Sequence, residues 1–414
     1  RQQLEHFAGI SLNLSLTNLK KLTILDISHN KLLQLLGFES TLLVSIRTLN
    51  FSHNELTFIE SSSFSLADSL ETVDLSFNKI NITIENVMFK NNFKLRYLDL
   101  FSNSITGLQK EFLINSDIQY LNIDKNNISG DLLENTFAGI THLINLNVTS
   151  QYITGVRNRT FAGMQSLVSL NLSNNIISAV DELSFFNTTI QNLDLSHNYV
   201  PQLNFLKYGL DNLTSLYLSY NNITVIPTDA FQNQTQMVYL DISMNKIVRI
   251  EENSLPLSYL QFLDISNFNI TRIESMALVD LPVLVRLNIS NNQIESIDSN
   301  NFIKVDNMFS LDVSFNKLSK LKIIRNVRAV NNTFLVHSSK SDTSADIIPP
   351  NAVSDSSSPS IIGIFIYCTL ILVTIVVVGI VMYVKFNRNR VMILDRTSRA
   401  SLELSGTEFQ RDLF

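Results

Sequence analysis

Three histidines occupy equivalent places: His29, His53 and His197 each stand in the tripeptide Ser-His-Asn. Were His29 and His53 to stack on adjacent strands, two imidazoles about 5 Å apart beside Asp26 would offer ligands to zinc. The tripeptide is equally a plain filler of the repeat that carries it, so no metal and no cofactor is expected. Nucleophilic chemistry is no better served. The one cysteine, Cys368, lies inside an uncharged apolar run, no serine stands in a nucleophile elbow, and no glycine-rich phosphate loop is present. With 11 glycines in 414 residues, tight catalytic loops are scarce. The chain is not expected to be an enzyme.

Aromatic and acidic side chains at regular spacing suit binding instead. Tyr97, Phe101 and Tyr120 fall on two neighbouring copies of a repeat, and Tyr217, Tyr220, Tyr239 and Phe262 on three. Asp194, Asp241 and Asp264 recur beside the second group. Exposed aromatics with charge nearby are what interface anchors look like; a solvated sheet filled with Asp and Ser is the plainer alternative. Modification is a third chemistry. Asn-x-Ser/Thr begins at Asn13, Asn50, Asn81, Asn127, Asn147, Asn158, Asn171, Asn187, Asn212, Asn222, Asn233, Asn269, Asn288 and Asn331, always ahead of the apolar run and never behind it. The repeat's own wording generates some of these, Asn171 and Asn288 among them.

What must position these residues is that repeat. The pattern Leu-x-x-Leu-x-Leu-x-x-Asn-x-Leu occurs thirteen times, with Ile, Val, Phe or Met standing in for Leu. The first copy reads Leu22, Leu25, Ile27, Asn30, Leu32, and the last Met308, Leu311, Val313, Asn316, Leu318. The Asn slot returns every 23 to 25 residues, with Gln151 and Phe268 as its two exceptions. On a strand, Leu25 and Ile27 point the same way, into a core, and Asp26 points out. The Asn then leaves the strand, where its amide can pair backbone groups that a turn strands. A Phe follows 9 to 11 residues later in many copies: Phe64, Phe89, Phe112, Phe137, Phe161, Phe231 and Phe302. One copy cannot bury its own apolar face, but a stack can.

By this pattern residues 10–336 resemble the leucine-rich-repeat family. The resemblance implies an α/β solenoid of about 13 repeats of 23–25 residues, with a parallel sheet on the concave face and loops or short helical turns outside. Family members outside cells usually close both ends with cysteine-rich caps, which this chain lacks. Residues 1–21 read as a partial repeat, so the natural N-terminus is expected upstream; 22–320 are the repeats; 321–336 are a cysteine-free cap. The middle outward position of the concave face reads Asp26, Asn50, Asp74, Asp99, Asn122, Asn147, Asn171, Asp194, Tyr217, Asp241, Asp264, Asn288 and Asp312. This is an acidic surface suited to a basic protein patch. Glycans at Asn50, Asn147, Asn171 or Asn288 would obstruct it. Asn192–Asp264 has no acceptor at that position and is the expected ligand patch.

Residues 361–384 carry no charge. At ~1.5 Å per residue they reach ~36 Å, enough to cross a hydrocarbon core of ~30 Å as one helix in the lipid bilayer. Lys385, Arg388 and Arg390 follow, which puts the C-terminus in the cytoplasm and the repeats outside. Residues 337–360 are a Ser/Pro-rich stalk, suited to O-glycosylation. The tail, 385–414, is too short for a Toll/interleukin-receptor domain or a kinase, unlike the Toll-like receptors that the ectodomain resembles. Its end, Asp412-Leu413-Phe414, resembles a ligand for a PDZ-type partner. Residues 1–360 hold 25 basic against 33 acidic side chains, which argues against nucleic acid. The expected protein is a single-pass type I plasma-membrane glycoprotein that binds an extracellular protein ligand, as adhesion molecule, co-receptor or decoy. The alternative is a signalling or innate-immune receptor acting through a partner with its own effector domain.

Overall fold

The computed structural model describes residues 21–36, 45–114, 116–274, 277–297, 299–302, 304–305, 307–318 and 320–321. All lie within one compact unit, Arg1–Leu335. The partial repeat at 1–20, the cap beyond Leu321, the stalk, the apolar segment 361–384, the tail, Asn13 and Asn331 lie outside the described residues. Among those described, no helix is long and apolar enough to cross a membrane.

Each of the thirteen motif copies forms one three-residue strand, from Ile24–Asp26 to Ser310–Asp312. Within each sheet the strands pair in parallel and in direct register, Leu49 opposite Val73 and Leu216 opposite Leu240, so each strand lays its central Leu or Val against the next. Those residues and the apolar position two further on are buried from the second copy onward, as period-two alternation requires, and Leu25 and Ile27 of the first copy are partly buried. The result is a parallel β-solenoid.

The turn after each strand is closed by the motif Asn. Asn198 donates through Nδ2 to Leu195 O at 3.0 Å in its own repeat and to Leu172 O at 3.0 Å in the one before, while its Oδ1 accepts from Ile177 N at 2.9 Å. Asn54, Asn78, Asn126, Asn175, Asn221, Asn245 and Asn292 repeat the arrangement. Gln151, one methylene longer, keeps both cross-repeat bonds, to Ile123 O and from Ile128 N. Phe268 fills the slot with a buried ring and offers neither.

The outer side is a file of phenylalanines. Phe137 stacks on Phe161 at 5.2 Å and Phe161 on Phe185 at 5.6 Å; Phe205 closes edge-on at 6.0 Å. Phe185 and Phe205 extend the series read from the sequence. Phe205 enters from the 3-10 helix Asn204–Lys207.

Two expectations need correction. The fold is not α/β in any full sense: among the described residues the outer segments are turns and short 3-10 pieces, with no α-helix. About ten residues rich in Asn, Ser and Thr cannot offset the cost of nucleating a helix, and their hydroxyls bind backbone carbonyls instead, as Ser184 Oγ does Val156 O at 2.9 Å. Second, the main sheet is not continuous. It divides into five strands ending at Tyr120–Asn122 and eight beginning at Asn145–Asn147. At this break Asp124 stands where most copies carry Ser, and its carboxylate takes the Asn147 amide and, at 3.3 Å, the Thr149 N–H that in other copies goes to the Asp or Asn two residues before it. A second set of short strands, unforeseen in the sequence, runs beside the first; its longest part joins Ser129–Leu132, Tyr152–Val156 and Ala179–Val180.

Candidate protein-interaction face

The outward Asp or Asn of most strands does structural work first. Ser196 donates its N–H to Asp194 Oδ1 at 2.9 Å and its hydroxyl to the same oxygen at 2.6 Å. Ser243 does the same to Asp241 at 3.0 and 2.7 Å, and Ser266 N donates to Asp264 Oδ1 at 2.9 Å. Asn serves equally: Ser52 donates to Asn50 Oδ1, Ser173 to Asn171 Oδ1 and Ser290 to Asn288 Oδ1. The Asp/Asn-x-Ser series is thus a strand-ending turn, because a side-chain oxygen supplies the acceptor that the departing backbone needs. Where the cap is Asn and Ser follows two residues on, as at Asn50, Asn171 and Asn288, it is also a glycan acceptor. Among the described residues the second oxygens of Asp194 and Asp241 take no hydrogen bond, whereas Asp264 Oδ2 accepts from Asn288 Nδ2 at 2.9 Å.

Between these carboxylates the aromatics form ladders. Tyr217 lies 4.8 Å from Tyr239, which lies 6.1 Å from Phe262, with the Arg286 guanidinium 5.8 Å from the Phe262 ring. A cleft of about 230 Å³ opens beside them, lined by Ser169, Asn171, Asn192, Asp194 and Tyr217. Partial burial, with Asp241, Tyr217 and Asp264 around it, pushes the Tyr239 phenol up to about 12; burial and Asp194 raise Tyr217 likewise. Both hydroxyls therefore stay protonated donors at neutral pH. Tyr97 and Tyr120 stack face to face at 4.3 Å on the N-terminal sheet, and Tyr97 Oη donates to Asp99 Oδ2 at 3.2 Å.

The clusters read from the sequence divide here. Tyr220 is not on the sheet: it occupies the left-handed turn position, φ 56°, and stacks on His197 at 4.2 Å. Phe101 follows its strand and meets Phe77 edge-on at 5.2 Å beneath Lys125. Side chains at the turn point along a different edge from those on the strand. His29 and His53 share that turn position, stacked at 4.3 Å and 8°, and Phe77 continues the column at 4.4 Å. Parallel rings aim their in-plane nitrogen lone pairs side by side rather than at one point. Among the described residues no group of three His, Cys, Asp or Glu is placed to hold a metal ion.

On the N-terminal sheet Asp74 and Asp99 face each other in register. Burial, then Asp74, lifts the Asp99 carboxyl above the ordinary range, against the Phe101 N–H that lowers it. A carboxyl raised on folding takes up a proton, so its ionised form costs stability that returns as pH falls through the folded value toward ~3.9. Asp99→Asn keeps the acceptor for Phe101, as Asn122 does for Asp124 N at 3.2 Å. It should raise stability at pH 7 by ~0.2–1 kcal/mol, the scale of an opposed charge pair, and by nothing near pH 3. Thermal melts at both pH values check this.

Comparison with known proteins settles the family. The leucine rich repeat model matches residues 44–105, 141–200, 211–267 and 258–318. The chain belongs to the leucine-rich-repeat family. Lumican of Gallus gallus is 29% identical over 150 residues, 36% of this chain and 43% of that protein. Toll-like receptor 3 of Homo sapiens is 37% identical over 76 residues, 18% of this chain and 8% of the receptor. The matched part spans under half the length of these curated relatives. The leucine-rich repeats also share their fold with the LRIM1/APL1C complex, at TM-score 0.60, 22% identity and coverage of 78% of this chain and 58% of that one. The APL1 leucine-rich repeat domain scores 0.59 at 22% identity, covering 76% and 80%.

The repeats also hold a charged group that sequence reading missed. Arg157 binds Asp131 Oδ2 through Nη2 at 2.6 Å and Nε at 2.8 Å, and reaches Asp181 at 3.5 Å. Thr154, then Arg157, holds the Asp131 carboxyl below the usual range. Arg157 and Asp181 stand at equivalent positions, each just after a paired Val, whereas Asp131 lies opposite Gly155, so aligning the copies beyond the Asn would have shown only the second pair.

Proposed function

We propose that this chain is a single-pass type I cell-surface leucine-rich-repeat glycoprotein that binds an extracellular protein ligand through the sheet face at Asn192–Asp264, as an adhesion molecule, co-receptor or decoy. One observation carries the reading: the Tyr217–Tyr239–Phe262 ladder lies between carboxylates with open oxygens, on strands whose outward positions bear no glycan acceptor. Stacked aromatics give large contact area at low entropic cost, and the carboxylates favour Lys or Arg on the partner. The acceptors in this stretch, Asn212, Asn222 and Asn233, lie off the strands.

The test places the full chain, behind a signal peptide and with a C-terminal tag, on cells probed with an array of cell-surface proteins. The tag should be reached only after permeabilisation. Tyr239→Ala should weaken capture of a basic-faced ligand about tenfold or more. Asp241→Asn keeps the Ser243 cap and creates an Asn-x-Ser acceptor; its glycan should block capture, and enzymatic removal should restore it. Undiminished capture by both variants sinks the assignment of this face.

A further inference from the structure

The three-stranded lateral sheet ends at Ala179–Val180, where the next repeat lacks one donor. In each preceding repeat the third residue after the motif Asn or Gln donates a rung: Thr57 N to Leu33 O at 2.8 Å, Ser129 N to Thr106 O at 3.1 Å, Ser178 N to Thr154 O at 2.9 Å. In the next repeat that residue is Pro201, which has no N–H to give. No strand forms there, and the chain turns into the 3-10 helix Asn204–Lys207. The outer edge of Ala179–Val180 faces instead a groove of about 620 Å³, walled by Ser178–Leu183, Pro201, Gln202, Asn204 and Asn158. That volume falls in the range of small-molecule sites, about 300–1,000 Å³. An open strand edge invites pairing with other chains, and natural sheets cover it.

Asn158 is placed to supply the cover. It heads the acceptor Asn158-Arg159-Thr160. Its Oδ1 accepts from Leu183 N at 3.1 Å, and its own N–H donates to Asp181 Oδ2 at 3.1 Å. The Arg157 guanidinium, held between Asp131 and Asp181, fixes that wall. The clamp leaves Nδ2 as the open end of the side chain. Asn147, Asn233 and Asn288 differ, spending Nδ2 on Asp124, Lys207 O and Asp264.

We propose that Asn158 carries an N-linked glycan and that this groove seats its first sugars, making the glycan a structural cover for the strand edge. The proposal rests on the reading that the repeats lie outside the cell. Acetamido and hydroxyl groups match the Ser178 carbonyl left without its rung and the amides of Gln202 and Asn204, already oriented by a 3.2 Å bond from Asn204 Nδ2 to Gln202 Oε1. The apolar face of a pyranose matches the Pro201 ring.

The test follows site-by-site glycan release from the full chain made in mammalian cells. Glycopeptide mass spectrometry compares Asn158 with the exposed Asn81 and Asn269 during native N-glycosidase digestion. Asn158 should be occupied and released about tenfold more slowly, as seating worth one decade predicts. Denaturation should remove the difference. Gln202→Ala with Asn204→Ala, both outside the core, should bring Asn158 to the comparison rate. Release of Asn158 at the rate of the others, or an empty Asn158 beside occupied Asn81 and Asn269, overturns the seat but not the outside placement. Three empty sites overturn both.

Discussion

Asn198→Ala is expected to destabilise the repeats by about 3 kcal/mol or more, because it leaves the buried Ile177 N–H unpaired at ~1–3 kcal/mol and takes one of two amide donors from each of Leu172 O and Leu195 O, which keep Asn175 and Asn221. The amide of Asn198 holds Leu172 O and Leu195 O at 3.0 Å and takes the Ile177 N–H at 2.9 Å. An alanine methyl replaces none of these, and the turn is too tightly buried for water to do so. Asn198→Asp should be at least as damaging at neutral pH: it keeps the acceptor, loses both donors and buries a charge. Asn198→Gln should be milder, since Gln151 shows that the longer amide still reaches across the repeat. Denaturant midpoints rank the three. Amide exchange should show protection lost first around residues 172–177 and 195–199, because a solenoid is coupled mainly to nearest neighbours. A loss under ~1 kcal/mol for Asn198→Ala would falsify the view that the amide column carries the stack.

Gly209→Ala should be as severe, about 4 kcal/mol or more, through backbone collision. Gly209 has φ +83°, and a Cβ there would lie 2.1 Å from Phe185 O and 2.6 Å from Phe185 C. These are main-chain atoms and cannot swing aside. Thr188 Oγ1 donates to Phe185 O and to Gly209 O, each at 2.9 Å, which ties the two segments together. The collision would push Phe185 from its stack with Phe161. Gly130→Ala is the control: φ is +79° but nothing lies within 4 Å of the added carbon, so only the left-handed penalty of ~1–2 kcal/mol applies. Equal melting points for the two variants would mean that the close approach at Gly209 relaxes freely.

The repeat was legible from the start because its physics is local. Leu two apart on a strand, Asn at the turn and Phe ten residues on each need only their own repeat and its neighbours, and the same solution recurs thirteen times. Legibility failed where a residue's meaning depends on two copies compared atom by atom. Asp194, Asp241 and Asp264 read as a ligand-facing surface, yet each gives one oxygen to a strand-ending turn. Tyr220 read as a neighbour of Tyr217, three residues away, but a left-handed turn carries it to the His197 column.

The sequence by itself determined the parallel stack, the polar outward face and the amide column, since periodicity in apolar residues dictates burial. Only the tertiary structure decided where that regularity stops. The main sheet divides between Tyr120–Asn122 and Asn145–Asn147, where the Asp124 carboxylate bridges to Asn147 and Thr149 of the next repeat. Pro201 lacks the N–H that would continue the three-stranded lateral sheet past Ala179–Val180, and the Arg157 pairing with Asp131 and Asp181 assembles from three repeats more than twenty residues apart. Such features rest on distances between atoms remote in the chain, which spacing along one repeat does not encode.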